Sequence, residues 1–260
     1  MKKRIGCFIT VRVGSSRLPG KCLLRIRGKR VIEYVIDRAK LAKKIDVIVL
    51  CTTTNKEDDI LINIAKRKRI KYFRGSEKDK LERWNGAAKK FGLDYFVTFD
   101  ADDIFCDPKL IDLSISQMLV KPCDMIKAPD NLVCGAFTYC ISAKALARVC
   151  KMKENNDTEM MWSYFTETDA FSVRDLNVRN PIYFSKRIRL TLDYAEDFAF
   201  FCSVFDEMKM KRNNVSLIQI LKMLRKKSSL TKINFFRHSQ FLLNQRLKTN
   251  IKLKTKYLQK

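Results

Sequence analysis

Short apolar segments alternate with helical patterns over the first hundred residues of this chain. The apolar segments lie near residues 4–11, 46–52, 70–73 and 94–99. Between them, apolar residues recur at helical spacing in sets that begin at Val31, Ile60 and Leu81. Alternation of strands and helices at this spacing predicts an α/β fold, a doubly wound and mostly parallel sheet with helices on both faces.

Charged and polar residues follow each of the four predicted strands. These segments are the loop 12–21, the pair Thr52-Thr53, the run Arg74-Gly75-Ser76 and the acidic residues 100–103. In a sheet of this kind, ligands bind beyond the carboxyl ends of the strands. The sequence therefore predicts that the four segments meet in one binding site.

The loop after the first strand reads V-R-V-G-S-S-R-L-P-G-K over residues 11–21 and is suited to hold a triphosphate. Glycines such as Gly14 and Gly20 allow main-chain N–H groups to turn toward anionic oxygens, and the three cations would neutralise phosphate charge. The spacing is not that of a P-loop, because the lysine is followed by Cys22. A basic, solvated turn is the alternative. The predicted nucleotide contacts in the loop are Val11, Arg12, Val13, Gly14, Ser15, Arg17 and Lys21.

The pattern R-x-x-S-x-R-L-P-G-K in this loop resembles the signature of the cytidylyltransferases that activate Kdo and acylneuraminates, and resembles their spore-coat polysaccharide relatives most. Other segments agree in order, namely Cys51-Thr52-Thr53, Phe73-Arg74-Gly75-Ser76, Asp102 with Asp107-Pro108, and Arg189-Leu190-Thr191-Leu192-Asp193. The resemblance implies a Rossmann-like nucleotidyltransferase with a GT-A-like fold. It also implies Mg²⁺-dependent transfer of CMP from CTP to an acidic sugar, in the biosynthesis of surface glycans.

Two aspartates are the predicted ligands of Mg²⁺, which prefers one or two carboxylates together with waters and substrate phosphates. The resemblance makes Asp102 one ligand, and it makes Asp193 the second. Asp100 competes with Asp102 for this role. Asp107 precedes a proline and is predicted to cap a helix instead.

The resemblance also assigns contacts outside the first loop. The further nucleotide contacts are Thr52, Thr53, Arg74, Gly75, Ser76 and Leu81, and the acceptor contacts are Asp100, Gly135, Glu159 and Arg189. Two of these residues have structural alternatives, because Ser76 also suits a helix cap and Arg189 also suits a salt bridge with Glu196. The one histidine, His238, lies near the C-terminus, so we expect no histidine base or metal ligand at the site.

These residues predict a reaction. An acceptor oxygen, from a hydroxyl, phosphate or phosphonate group, would attack the α-phosphorus of CTP and expel pyrophosphate. Such transfer depends on positioning and charge neutralisation. The predicted catalytic residues are Arg12, Arg17, Lys21 and Asp102.

The net charge of +25 is concentrated at the C-terminal end, since residues 209–260 hold 15 Lys or Arg and no Asp or Glu. We predict a nucleotidyltransferase domain over 1–208 and a basic, amphipathic helical extension over 209–260. The extension suits an anionic membrane surface or an acidic partner, or else forms a solvated helical face. We found no signal peptide and no membrane-spanning stretch, so we expect a cytoplasmic protein, with peripheral contact at the inner membrane face as an option. By resemblance, we expect a homodimer.

Two other functions fit parts of the sequence. Asp100-Ala101-Asp102 has the Asp-x-Asp form of a GT-A-type glycosyltransferase, although a nucleotide sugar has no need of the long basic loop. A non-enzymatic nucleic-acid-binding protein would use the basic extension with its aromatic residues. Those residues, which also fit an apolar helical stripe, are Phe235, Phe236, Phe241 and Tyr257. Nucleic acid is therefore not the expected partner.

Overall fold

The computed structural model describes residues 2–210, 215–249 and 251–254. The strands are β1 (Ile5–Thr10), β2 (Arg25–Ile26), β3 (Lys29–Arg30), β4 (Val47–Thr53), β5 (Lys71–Gly75), β6 (Tyr95–Asp100), β7 (Met125–Lys127), β8 (Tyr139–Ser142) and β9 (Val173–Asp175). The helices are α1 (Val31–Ala39), α2 (Asp59–Arg67), α3 (Lys80–Lys90), α4 (Pro108–Val120), α5 (Ala143–Met152), α6 (Ser163–Thr166), α7 (Ala195–Glu207), α8 (Leu217–Lys226), α9 (Ser228–Thr231) and α10 (His238–Lys248).

Seven strands form one sheet in the order β5-β4-β1-β6-β8-β7-β9. Strand β8 runs antiparallel to both of its neighbours, and the other six strands share one direction. Strands β2 and β3 form a separate small hairpin. The predicted mostly parallel sheet is confirmed, and the four predicted strands end within two residues of the observed ones.

Alternate side chains of the strands point to opposite faces, and each face carries its own hydrophobic core. On β1, Cys7 and Ile9 pack under α1, α2, α4, α7 and α8. Phe8, between them, packs under α3, α5 and α6 with Trp84. The predicted helical faces of α1, α2 and α3 are the buried faces of these helices.

The C-terminal extension is helical, as predicted, and returns to the body of the protein. In α8, Leu217, Ile220, Leu221 and Leu224 are buried in the same core as α4 and α7. Each such buried leucine stabilises the fold by roughly 1.5–3 kcal/mol. Past α10, the N–H of Lys254 donates to the carbonyl oxygen of Met152 at 3.0 Å, so the end of the described chain pairs with the end of α5. The division of the chain at residue 208 stays a prediction.

Within the described ranges, every helix is either too short or too polar to cross a bilayer.

Candidate functional site

The carboxyl ends of β1 and β6 open onto a cavity of about 830 Å³. Of the four segments predicted to meet, the first loop and the acidic turn 100–103 face each other across it, while Thr52-Thr53 and Arg74-Gly75-Ser76 are absent from its wall. Its wall includes Val11, Arg12, Gly14, Ser15, Arg17, Lys21, Asp100, Asp102, Asp103, Gly135, Glu159 and Asp193. Because this cavity brings residues from distant parts of the chain together, it is the candidate active site.

The first loop is anchored from behind by the buried carboxylate of Asp58. The main-chain N–H of Val13 donates to Asp58 Oδ1 at 2.7 Å. Thr52 Oγ1 donates to the other oxygen at 2.9 Å, and the N–H of Thr53 donates to it at 3.2 Å. The two threonines therefore fix the carboxylate of Asp58, which in turn fixes the loop. Their contact with the nucleotide stays a prediction.

The two loop glycines serve different purposes. Gly20 has a φ of +63°, in the left-handed region that favours glycine, and it begins the 3-10 turn Lys21–Leu23. Gly14 has no positive φ; a β-carbon there would lie 2.8 Å from Glu57 Oε1. Gly14 therefore packs closely against the Glu57 side chain without a left-handed conformation.

Cations of the loop pair with both predicted metal ligands. Lys21 Nζ lies 2.7 Å from Asp102 Oδ2 and 2.9 Å from Asp193 Oδ1. Arg17 Nη2 lies 2.5 Å from the same oxygen of Asp193. Burial by itself would raise the pKa of Asp193, but the charges of Lys21 and Arg17 outweigh it and hold that pKa well below its ordinary value. Asp193 is therefore ionised at neutral pH.

The carboxylates of Asp102 and Asp193 fit one divalent cation. Their oxygens already share a single ammonium group, that of Lys21, so both lie within reach of one positive charge. In the part of the chain that the structure describes, no cluster of three or more His, Cys, Asp or Glu side chains is arranged to hold a metal. An open pair of carboxylates suits Mg²⁺, which completes its shell with waters and substrate phosphates.

Arg189 lies behind Asp193 and is almost fully buried. Its Nη2 is 3.0 Å from Asp193 Oδ2, and its Nε is 2.9 Å from Asp197 Oδ1. The alternative of a structural salt bridge is thus observed with Asp193 and Asp197, while Glu196 pairs with Arg237 at 2.7 Å. The guanidinium faces carboxylates rather than the cavity, so a direct contact with an acceptor stays a prediction.

Comparison with known proteins identifies the kind of enzyme. Residues 7–244 match the family model described as cytidylyltransferase. The chain belongs to the cytidylyltransferase family. The resemblance found in the sequence is thereby confirmed, and this membership favours the first interpretation over a glycosyltransferase.

This cytidylyltransferase has relatives that match most of its length. Spore coat polysaccharide biosynthesis protein SpsF of Bacillus subtilis is 26% identical over 231 residues, which cover 84% of this chain and 92% of that protein. A cytidylyltransferase of Leptospira borgpetersenii has a similar structure, with a TM-score of 0.80 at 23% identity over 88% of this chain and 97% of the other. CMP:2-keto-3-deoxy-manno-octonic acid synthetase complexed with CTP has a TM-score of 0.61 at 15% identity, over 79% and 99%. The two structures support the fold.

The acidic turn of the cytidylyltransferase holds carboxyl groups in different environments. Burial, with the nearby charges of Asp102 and Asp100, raises the pKa of Asp103 well above its ordinary value. Burial also raises the pKa of Asp100, which Lys80 opposes from 3.5 Å. Asp107 caps α4 as predicted, since its Oδ1 accepts from the N–H of Lys109 at 2.9 Å.

Gly135 is required by close backbone approach. Its φ is +85°, and a β-carbon there would lie 2.4 Å from the carbonyl oxygen of Leu190. Gly135, which we predicted to contact the acceptor, lies on the cavity wall next to the segment that leads from Leu190 to Asp193.

The loop after β5 and the first turn of α3 contribute to the cavity through residues that the sequence analysis missed. Arg74 donates to the carbonyl oxygens of Thr53 and Asn55 at 2.9 and 2.8 Å, and Leu81 lies in the core. The helix cap is Asp79 rather than Ser76. The residues on the wall are Glu77, Lys78, Lys80 and Arg83. Residues 74–83 read R-G-S-E-K-D-K-L-E-R and resemble the R-G-S-x-x-D-x-L-x-R pattern of the cytidylyltransferase family, so the sequence held a signal for Arg83. Nothing marked Lys80.

Helix α10 forms another part of the wall. Lys248 Nζ lies 3.3 Å from Glu159 Oε2, and Arg12 Nη2 lies 3.7 Å from the same oxygen. The residues that α10 contributes are His238, Phe241, Leu242, Gln245 and Lys248. His238 thus lies on the cavity wall although it is distant in sequence, and the expectation that no histidine acts as a base or metal ligand stays a prediction.

The aromatic residues of the extension have structural partners within the described ranges. The Phe241 ring packs 4.3 Å from the guanidinium carbon of Arg189, and Phe235 stacks on His238 at 5.4 Å between ring centres. Phe236 is exposed, and Tyr257 lies outside the described residues. No residue of α10 is fully buried, and Leu242 and Leu243 are 41% and 55% exposed, so the apolar stripe of this helix is not part of the core.

Proposed function

We propose that this cytidylyltransferase transfers CMP from CTP to an acidic sugar or a related phosphorylated or phosphonylated acceptor, with release of pyrophosphate, in the biosynthesis of surface glycans. The observation that carries the proposal is the meeting of the loop cations with Asp102 and Asp193 in one cavity. Membership of the family and the CTP complex of a structural relative support CTP as the donor.

In the proposed mechanism, the loop cations move from carboxylates to phosphates. Lys21 and Arg17 would leave Asp193 and neutralise the departing pyrophosphate, which is worth several kcal/mol when such groups are pre-positioned. Arg12 is partly exposed and paired only loosely with Glu159, so its guanidinium can reach a phosphate. Asp102 and Asp193 would hold Mg²⁺, which supplies charge neutralisation at the α-phosphate.

We divide the proposed nucleotide and acceptor residues into those that would touch the ligand directly and those that would support the site from behind. Six residues on the cavity wall would touch the nucleotide directly, namely Val11, Arg12, Gly14, Ser15, Arg17 and Lys21. Seven would support the nucleotide site from behind, namely Val13, Thr52, Thr53, Arg74, Gly75, Ser76 and Leu81. For the acceptor, Asp100, Gly135 and Glu159 would make direct contacts, and Arg189 would act through Asp193.

Calorimetric titration with CTP, UTP, ATP and GTP in the presence of Mg²⁺ tests the proposal. We expect selective binding of CTP, and its loss in Arg12→Ala. Arg148→Ala is the matched control, because Arg148 pairs with Asp124 in another part of the protein. Selective binding would justify a screen of sugar acids and phosphorylated sugars by pyrophosphate release. Equal binding of all four nucleotides, or of none, would contradict the proposal.

We also propose a cytoplasmic homodimer whose basic extension contacts an anionic membrane surface or an acidic partner. The apolar residues Phe236 and Leu247 are 62% and 73% exposed, and Leu243 lies one turn before Leu247. Exposed apolar side chains among basic ones suit an anionic lipid interface. Cosedimentation with anionic but not neutral vesicles, weakened in Leu243→Gln/Leu247→Gln, would support the membrane contact. Light scattering of the protein as it elutes from a size-exclusion column would give its molar mass in solution and so its oligomeric state.

A further inference from the structure

The segment before α10 contacts the residues that hold Asp193. The side chain of Asn234 is fully buried, and its Nδ2 donates to the main-chain oxygen of Arg189 at 3.1 Å and to Asp197 Oδ1 at 2.9 Å. The other oxygen of Asp197 accepts from the N–H of Asp193 at 2.8 Å. Asn234 is thus one residue away from the carboxylate that faces the loop cations.

Helix α10 encloses the same cluster. Phe241 covers the guanidinium of Arg189, as described above. At the start of α7, the phenol oxygen of Tyr194 accepts from Asn244 Nδ2 at 3.0 Å, and Glu196 pairs with Arg237. These contacts exclude water from Arg189, and a buried cation is stable only where its partners hold it in good geometry.

The two oxygens of Asp193 face different groups. Oδ1 accepts from Lys21 and Arg17 on the cavity side, while Oδ2 accepts from Arg189 on the protein side. The orientation of this carboxylate therefore depends on where Arg189 and Asp197 are fixed. Asn234 contacts both of these residues, carries no charge, and is absent from the cavity wall. Any effect of Asn234 on the chemistry must pass through them.

We propose that Asn234 is a positioning residue for the metal-binding carboxylate. By fixing the main chain at Arg189 and the side chain of Asp197, it holds Asp193 with Oδ1 toward the cavity. The inference rests on the proposed function, because it takes Asp193 as a metal ligand. This role would give the C-terminal segment a part in forming the metal site.

Direct measurement of metal binding tests this role apart from turnover. Free Mn²⁺ is followed by electron paramagnetic resonance in the presence of saturating CTP, for the native chain and for Asn234→Leu, which keeps the volume and removes the donors. Loss of a residue that orients a metal ligand typically weakens metal binding about 10- to 100-fold, which is the expected change. CTP affinity measured in EDTA should change less than about two-fold, because Asn234 does not touch the nucleotide site.

Two further variants keep the test decisive. Asn234→Ser retains one donor and should give an intermediate loss of Mn²⁺ affinity, and it replaces Asn234→Leu where that chain fails to fold. Asn180→Ala is the matched control, since Asn180 Oδ1 caps a surface turn by accepting from the N–H of Ile182 at 3.0 Å. It should lower stability without changing Mn²⁺ binding.

The possible failures are distinguishable. Native-like Mn²⁺ affinity in Asn234→Leu, or an equal loss in Asn180→Ala, would overturn the positioning role while leaving the proposed function in place. Absence of CTP-dependent Mn²⁺ binding in the native chain would overturn the metal site, and the positioning role with it.

Discussion

Replacing Lys21 with methionine should strengthen binding of a divalent metal to the nucleotide-free protein while removing most of its turnover. The ammonium of Lys21 contacts oxygens of both Asp102 and Asp193, at 2.7 and 2.9 Å. A metal that binds these carboxylates must displace it. Methionine keeps the apolar stem and removes the competitor.

The size of the effect follows from these two contacts. A hydrogen bond to a charged group contributes about 1.5–3 kcal/mol, and Lys21 makes one to each carboxylate. Part of this is recovered when the displaced ammonium is hydrated, so we expect a gain of about 1.5–3 kcal/mol in metal binding, or roughly 10- to 100-fold in affinity. Turnover should fall by about 10²–10³-fold, as for other pre-positioned groups that stabilise developing charge.

The assay is a Mn²⁺ titration without nucleotide, followed by pyrophosphate release with CTP once an acceptor is found. Lys80→Met is the matched control, because Lys80 lines the same cavity but faces Asp100 at 3.5 Å. It should leave Mn²⁺ binding nearly unchanged. Weaker or equal Mn²⁺ binding in Lys21→Met would refute the reasoning, since Lys21 would then support the metal site instead of competing for it.

Three further outcomes follow from other contacts. Gly135→Ala should lose at least roughly 1–3 kcal/mol of stability in urea unfolding, because its φ is positive and the added carbon would meet the oxygen of Leu190. Asp58→Ala should lower both the melting temperature and CTP affinity, because Val13 and the threonine donors would be left without their acceptor, at about 1–3 kcal/mol for each buried group. Asp193 has a pKa below the unfolded value of about 3.9, so the unfolded chain takes up its proton first as the pH falls. Stability measured by urea unfolding should therefore decline below about pH 4, and less steeply in Asp193→Asn.

The strand ends follow from local features of the sequence. An apolar run such as Ile5–Thr10 has few alternatives to a buried strand, so the residue after it is placed at the edge of the sheet. The positions of Asp102 and Lys21 opposite each other then depend only on which strands are neighbours. The alternation of strands and helices does not by itself give this order; in the structure β1 and β6 are neighbours, which brings the two segments together.

Whether a side chain is buried is harder to predict from the sequence than its position along a strand. Arg189 alternates with Asp193 along one segment, and the sequence suggested that both reach the ligand. In the structure, Asn234 and Phe241 close over Arg189 from a part of the chain 45 or more residues away. Nothing near position 189 indicates that cover, so the sequence left Arg189 between an acceptor contact and a structural salt bridge.

The two long C-terminal helices, α8 and α10, also differ in how well the sequence predicts their packing. The apolar stripe of α8 predicts a buried face, and the structure buries Leu217 and Leu221 as expected. For α10 the stripe is interrupted by His238, Gln245 and Lys248, which a solvated face would also contain. Only the tertiary structure shows that this stripe faces the cavity, because the sequence of a helix does not indicate which surface it packs against.

Helix α10 links the cavity wall to the residues that support Asp193. Phe241 lies on the cavity wall and also covers Arg189, which holds Asp193. Gln245 and Lys248 lie on the same wall, and Lys248 pairs with Glu159. A change at Phe241 would therefore also alter the support of Asp193, since Phe241 packs on Arg189. The middle of α10 is therefore constrained by its packing on Arg189, whereas its last turn faces the cavity through Gln245 and Lys248.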